Sequence, residues 1–193
     1  MTLMPIEGSL GTWETRAIVA TMMPILIALS VLQMGSGYVL ETLEETYLGN
    51  PTLLVMVPVM IDMGGNLGCI MSSRLSTRLH LGMLSFRLHD TDLWTNTVAI
   101  LSLALTIFTG LGLATWAIGE YVYGAPIPLI DLMTISLVSG MLLALLAIVI
   151  SIAATWLSYR WGLDPDDTTI PVVTNVCDIL GVIILSIVAI IVL

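Results

Sequence analysis

The sequence has no lysine, only two cysteines and few charges of either sign: charged residues make up 10% of its 193 positions. A water-soluble domain carries about a quarter charged residues, so a globule with a hydrated surface is excluded. The five basic residues are all arginine, namely Arg16, Arg74, Arg78, Arg87 and Arg160, against 14 acids, for a net charge of −9. So acidic a chain offers no footprint for nucleic acid. Cys69 and Cys177 each lie inside an apolar run. They form neither a disulfide framework nor a metal finger and read as small buried apolar residues. The N-terminus lacks a basic region ahead of an apolar run that is itself of spanning length, so no cleavable signal peptide is expected. What is abundant is apolar: hydrophobic residues reach 58% and the mean hydropathy is +1.05. These values imply an all-α polytopic protein of the cell membrane, in contact with the lipid bilayer. Residues 1–193 are expected to form a single transmembrane domain, with no room for a soluble regulatory module.

A membrane helix needs roughly 20 apolar residues, and five segments qualify: about 16–39, 51–80, 93–120, 131–160 and 169–193. Pro51 suits the first turn of the second span, and Thr91 or Asp92 suits a cap on the third. Ala125-Pro126-Ile127-Pro128 and Gly162-Leu163-Asp164-Pro165-Asp166-Asp167 break the chain before the fourth and fifth. With five spans every arginine falls on one side, whereas Glu41, Glu44, Glu45, Glu120 and Asp131 occupy the other. Arginine-rich ends face the cytoplasm, which puts the N-terminus inside and the C-terminus outside. Trp13, Trp94, Trp156 and Trp161 fall near the inner ends, and Tyr38, Tyr47, Tyr121 and Tyr123 near the outer ends, as interfacial aromatics do.

Two acids lie deep inside spans, Asp62 in the second and Asp178 in the fifth. An ionised side chain in hydrocarbon costs about 3 kcal/mol or more, so such a residue faces a polar cavity and serves function. At 1.5 Å per residue Asp62 is about 17 Å below Pro51, and Asp178 about 14 Å above Thr169. In a core about 30 Å thick, two antiparallel helices then bring both carboxylates close to the mid-plane. Asn66 follows Asp62 by one helical turn on the same face, and Thr174 and Gly181 flank Asp178. Pro58 leaves a carbonyl one turn earlier without its helical donor, and Gly64-Gly65 weakens the helix after Asp62. Carboxylate, amide and carbonyl oxygens without a His or thiolate cluster suit a hard cation such as magnesium or calcium.

Each feature has a plainer reading beside it. A membrane Asp also serves as a protonated structural donor. Paired glycines, like Gly110, Gly112 and Gly119 of the third span, also allow close helix contact. Arg74 and Arg78 read as interfacial anchors, and His80 and His89, near Asp90 and Asp92, as solvated interface residues. Asp166 and Asp167 either collect cations at the inner mouth or are helix-capping acids. The 12 methionines read as lipid-facing or packing residues.

The second span, Pro58-Val-Met-Ile-Asp62-Met-Gly64-Gly65-Asn66-Leu-Gly68 followed by Ser73-Arg74-Leu-Ser76-Thr77, resembles the membrane domain of the MgtE magnesium transporters. It is still more similar to their relatives in solute carrier family 41. The stretch from Leu163-Asp-Pro165-Asp166 through Pro171, Thr174, Asp178 and Gly181 resembles the family's fifth-helix signature. The resemblance implies a homodimer whose cation pathway is lined by the second and fifth helices of both subunits. It puts the principal ion-binding Asp at Asp178 and the Gly-Asn motif residue at Asn66. The pattern departs at Ile70, where bacterial members carry Gln, and at Gly68, where solute-carrier members often carry an acid.

The expected function is therefore a dimeric transporter or channel for divalent cations, magnesium first, and not an enzyme. Asp178, Asp62, Asn66 and Thr174 are the expected metal-facing residues. Gly64, Gly65 and Gly181 shape the pathway, and Asp166 and Asp167 stand at its inner mouth. Magnesium enters as the transported ion, and no organic cofactor is expected. The alternative is an integral-membrane metal-dependent lipid-headgroup enzyme. Its only acid cluster would be Asp164, Asp166 and Asp167, which lie in a Pro-broken turn with no nucleophile–base pair beside them.

Overall fold

The computed structural model describes residues 15–82, 91–124 and 127–193. Trp13, Arg87, His89, Asp90, Ala125 and Pro126, and the side chain of Arg16, lie outside the described residues. The described chain is helical: α1 (Thr15–Thr42), a short α2 (Glu44–Gly49), α3 (Pro51–His80), α4 (Thr91–Ile118) continued by a π-helical turn (Gly119–Tyr123), α5 (Leu129–Arg160) and α6 (Pro165–Val192). Five of these helices are long and apolar enough to cross a membrane. In hydrocarbon the helix is the natural solution, because it satisfies every backbone donor and acceptor within one segment.

The spans match the sequence reading closely at α3 and depart from it by three residues or more at three ends: α1 runs to Thr42 rather than 39, and the start of α6 and the end of the third span also differ. α6 begins at Pro165, four residues before the expected 169. Asp164 caps it, accepting a hydrogen bond from the Asp166 amide at 3.0 Å, and Pro165 takes the first-turn position where its missing N–H costs nothing. The third span runs on through the π-helical turn to Tyr123 and stops at Gly124, whose φ of +62° a glycine adopts without strain. Thr91 and Asp92 lie inside the first turn of α4 rather than ahead of it. Pro58 does not interrupt α3, which is continuous from Pro51 to His80.

The core is a seam of α3, α5 and α6, with α4 packed on α5 and α3, and α1 laid against α6. Small residues set these approaches. A Cβ on Gly64 would collide with Leu143 of α5, and one on Gly140 with the ring of Phe108 of α4. Gly112 faces Met133 and Ser136, and Gly119 faces Thr52, whereas Gly110 has nothing within 4 Å and takes no part in helix contact. Buried hydroxyls tie the helices together: Ser136 donates to the Phe108 carbonyl at 2.6 Å, and Ser151 to the Gly68 carbonyl at 3.1 Å. Met56, Met60 and Met71 are fully buried packing residues, while Met23 and Met34 are exposed.

Two interfacial assignments need correction. Tyr47 is not an exposed belt residue. It is the buried residue of α2, and its hydroxyl pairs with Ser186 of α6 at 2.7 Å. Burial pushes that hydroxyl above its ordinary pKa, with the Ser186 bond opposing, so Tyr47 stays neutral. Arg74 and Arg78 do more than anchor at an interface, because both reach α4. Arg74 donates to Asn96 at 3.0 Å, and Arg78 is paired with Asp92. Tyr38, Trp94, Tyr121, Tyr123, Trp156 and Trp161 are exposed as expected, and Arg160 stacks over Trp156 at 5.2 Å from the ring centre.

Candidate functional site

α3 and α6 cross antiparallel. Gly65 lies against Thr174 and Asp178, Gly68 against Val173 and Cys177, and Gly181 against the Met60 carbonyl. The glycines let the backbones approach, so the side chains of α6 rest directly on α3. A Cβ on Gly68 would overlap Val173, which gives this glycine a packing reason to stand where relatives in the resemblance carry an acid.

Asp178 is half-buried at this crossing. Its Oδ1 lies 3.1 Å from where a Gly65 Cβ would stand. Its Oδ2 accepts a hydrogen bond from Nε2 of Gln33 on α1 at 3.3 Å. Asp62 is exposed on α3, and its Oδ2 accepts from Asn66 Nδ2 at 3.1 Å, one turn on. The two acids share a zone but not a level. Asp178 sits beside Gly65, three residues past Asp62, an offset of about 4.5 Å along α3.

Thr174 stands beside Asp178 with its hydroxyl already engaged. It donates to the Ile170 carbonyl at 2.9 Å. Its single proton is then used, so the contact with Cys69 Sγ at 3.0 Å has the thiol donating. One oxygen lone pair is left to face a cation or its water. Gly64 and Gly181 both contact Leu143 and so belong to the packing seam that fixes the spacing of α3 and α6.

Asp166 and Asp167 are not part of this group. They occupy the first turn of α6, about 17 Å along the helix from Asp178, where acids stabilise the positive helix end. Asp164 faces His80 at 3.9 Å, and His80 is also bonded to the Ser76 carbonyl at 3.0 Å. Among the described residues no three His, Cys, Asp or Glu side chains come together as a metal-holding group. The mid-span set within one chain is thus two carboxylates, two amides and a hydroxyl.

Gln33 is the member the sequence reading missed. It is the only glutamine in the chain and lies in the apolar run of the first span. A lone carboxamide there was the available signal, since an amide in hydrocarbon is costly without a partner.

Residues 57–188 match the family model described as MgtE, divalent cation transporter. The match takes in the Asp62–Asn66 pair and Asp178, and leaves α1 outside it. No curated protein matches the chain.

Proposed function

The chain belongs to the MgtE family of divalent cation transporters, and from that premise we propose that it is a homodimeric magnesium transporter whose pathway is lined by α3 and α6 of both copies. Membership makes it a cation transporter of the multi-pass membrane class. A family of transporters also points away from a lipid-headgroup enzyme. Asp178 is the central ligand in this reading, with Asp62, Asn66 and Thr174 completing a polar girdle. The single observation that carries it is the exposure of the Asp62–Asn66 pair in mid-span. A carboxylate at that depth is not left against lipid, where it costs about 3 kcal/mol or more; it faces water or a second polar surface. A second copy supplies both, and a two-fold axis doubles the oxygen set. Magnesium dehydrates reluctantly, so these groups hold the ion largely through its waters. Acids at the outer ends raise the local cation concentration.

Pure protein in liposomes is expected to give saturable magnesium uptake, and its mass in mild detergent is expected to be that of two chains. A stable monomer with full flux would overturn the shared pathway, and no flux from folded protein would overturn the transporter reading of this chain. Repeating the uptake with and without a sodium gradient distinguishes a coupled exchanger from a channel.

The orientation is also proposed. Arg74, Arg78 and Arg160 share an end with Trp156, Trp161 and the capped start of α6, and that end is assigned to the cytoplasm. With Cys69 and Cys177 changed to alanine, Glu45→Cys and Tyr121→Cys are expected to react with an impermeant thiol reagent applied outside, and Leu163→Cys only after permeabilisation. All three positions are exposed. The reverse pattern would invert the assignment.

A further inference from the structure

Gln33 is an unusual residue to find where it is. Its side chain leaves α1 half-buried and places Nε2 3.3 Å from Asp178 Oδ2, across 145 residues of sequence. Its other terminal atom, Oε1, is buried without a hydrogen-bond partner among the described residues. An amide kept only to fill space would be improved by an apolar side chain of the same length, because the unmet carbonyl would disappear. The amide cannot turn over to relieve that oxygen, since Oε1 would then face the carboxylate oxygen and the donor would be lost. The arrangement makes sense if the hydrogen bond to Asp178 is what the position is for.

The opposite side of the carboxylate is also confined. Asp178 Oδ1 rests where Gly65 leaves room, 3.1 Å from the site of a Cβ. One oxygen is held by a donor from α1 and the other is seated against α3, so the group is fixed from two helices while it belongs to a third. A carboxylate already held in one rotamer gives up less freedom when it takes a cation or the cation's water shell. The donor also offsets the cost of keeping the carboxylate charged at this depth.

We propose that Gln33 is a positioning residue of the transport site: its amide fixes the Asp178 carboxylate and thereby sets the affinity for the divalent cation, bringing the first span into the site. This rests on Asp178 being an ion ligand. Gln33 acts through Asp178 and does not itself touch the ion. The first span is then part of the site's construction, although the pathway itself is lined by α3 and α6.

The test is Gln33→Met in the full chain, reconstituted in liposomes with magnesium as the probe. Methionine matches the length and removes the donor. The magnesium concentration for half-maximal flux is expected to rise roughly tenfold, the scale of one hydrogen bond to a charged group, with the maximal rate within about twofold of the native protein. In detergent, the magnesium-dependent rise in melting midpoint is expected to need a correspondingly higher concentration, while the midpoint without cation is unchanged. A merely structural role predicts the opposite split: a lower cation-free midpoint and lower maximal rate at native half-saturation. That result, or native behaviour throughout, overturns the proposal. If the methionine variant does not fold, Gln33→Asn keeps an amide one methylene too short for the bond and carries the same expectation. Asp178→Asn run in parallel separates the two claims. If it transports with native half-saturation, the ion-ligand assignment itself fails; if it is inactive while Gln33→Met is native, only the role of Gln33 fails.

Discussion

Asp178→Asn is expected to lower magnesium flux by at least about 100-fold with the dimer and the helical fold intact. The substitution keeps the shape of the side chain and one acceptor oxygen, which can still accept from Gln33, while removing one negative charge per chain. Two unit charges about 4 Å apart interact by about 4 kcal/mol at an effective dielectric of about 20, and a divalent ion doubles that; each 1.4 kcal/mol is tenfold. Ion contacts through water are longer and weaker, but the proposed dimer site would lose two such charges at once. The fold should survive because the helix crossing is set by glycines, with Gly65, Gly68 and Gly181 in close contact across it, and does not depend on the carboxylate. Asp62→Asn is expected to cost less, since Asp62 is exposed and its described bond to Asn66 lies within its own helix. The measurement is liposome flux beside a mass and a melting curve for each variant. Native flux from Asp178→Asn would move the site to Asp62 or to the Asp166–Asp167 turn. Loss of flux together with loss of the fold would make Asp178 a structural cross-link instead.

Gly140→Ala is expected to be the most damaging single methyl group in the protein. The new Cβ would overlap three atoms of the Phe108 ring, which is itself fully buried. α4 has little freedom to retreat, because Ser136 of α5 holds the Phe108 carbonyl by a 2.6 Å hydrogen bond. Overpacking of a tight core costs about 1–3 kcal/mol, and a clash with a rigid ring between two pinned helices belongs at the upper end. Gly110→Ala, in the span that carries Phe108, is the control: nothing lies within 4 Å of its Cβ position. Alanine in a helix is favoured over glycine by up to about 1 kcal/mol, so this variant is expected to be neutral or slightly stabilising. Thermal or denaturant melting of both in detergent decides the matter. Equal stability of the two would mean that the α4–α5 contact is looser than the structure has it.

The glycines of the third span show where a sequence stops being informative. Gly110, Gly112 and Gly119 all suit close helix contact as sequence features, yet only Gly112 and Gly119 make it. A helix that is apolar all round carries no stripe to say which face meets protein and which meets lipid. Tyr47 shows the same limit: its position near a span end suits an interfacial aromatic, but α2 folds it under and hands its hydroxyl to Ser186. The boundary at Pro165 was legible in principle, since Asp-Pro-Asp-Asp is a good helix start. A hydropathy reading places the beginning where the polar residues end, four residues later.

The sequence by itself determined the number of spans, the placement of Asp62 and Asp178 in the middle of theirs and the one-turn pairing of Asp62 with Asn66. Hydropathy, helical rise and the one-turn spacing of neighbours are local properties that need no knowledge of the fold. Only the tertiary structure decided that the first span lies against the last, that Gln33 therefore meets Asp178, and that the Asp62–Asn66 pair points away from the chain's own core. In a membrane the lipid tails are as apolar as the spans themselves, so burial of hydrophobic surface does not choose their partners. Shape does, through glycines that admit a neighbour's side chain and through the few polar groups that must find one another.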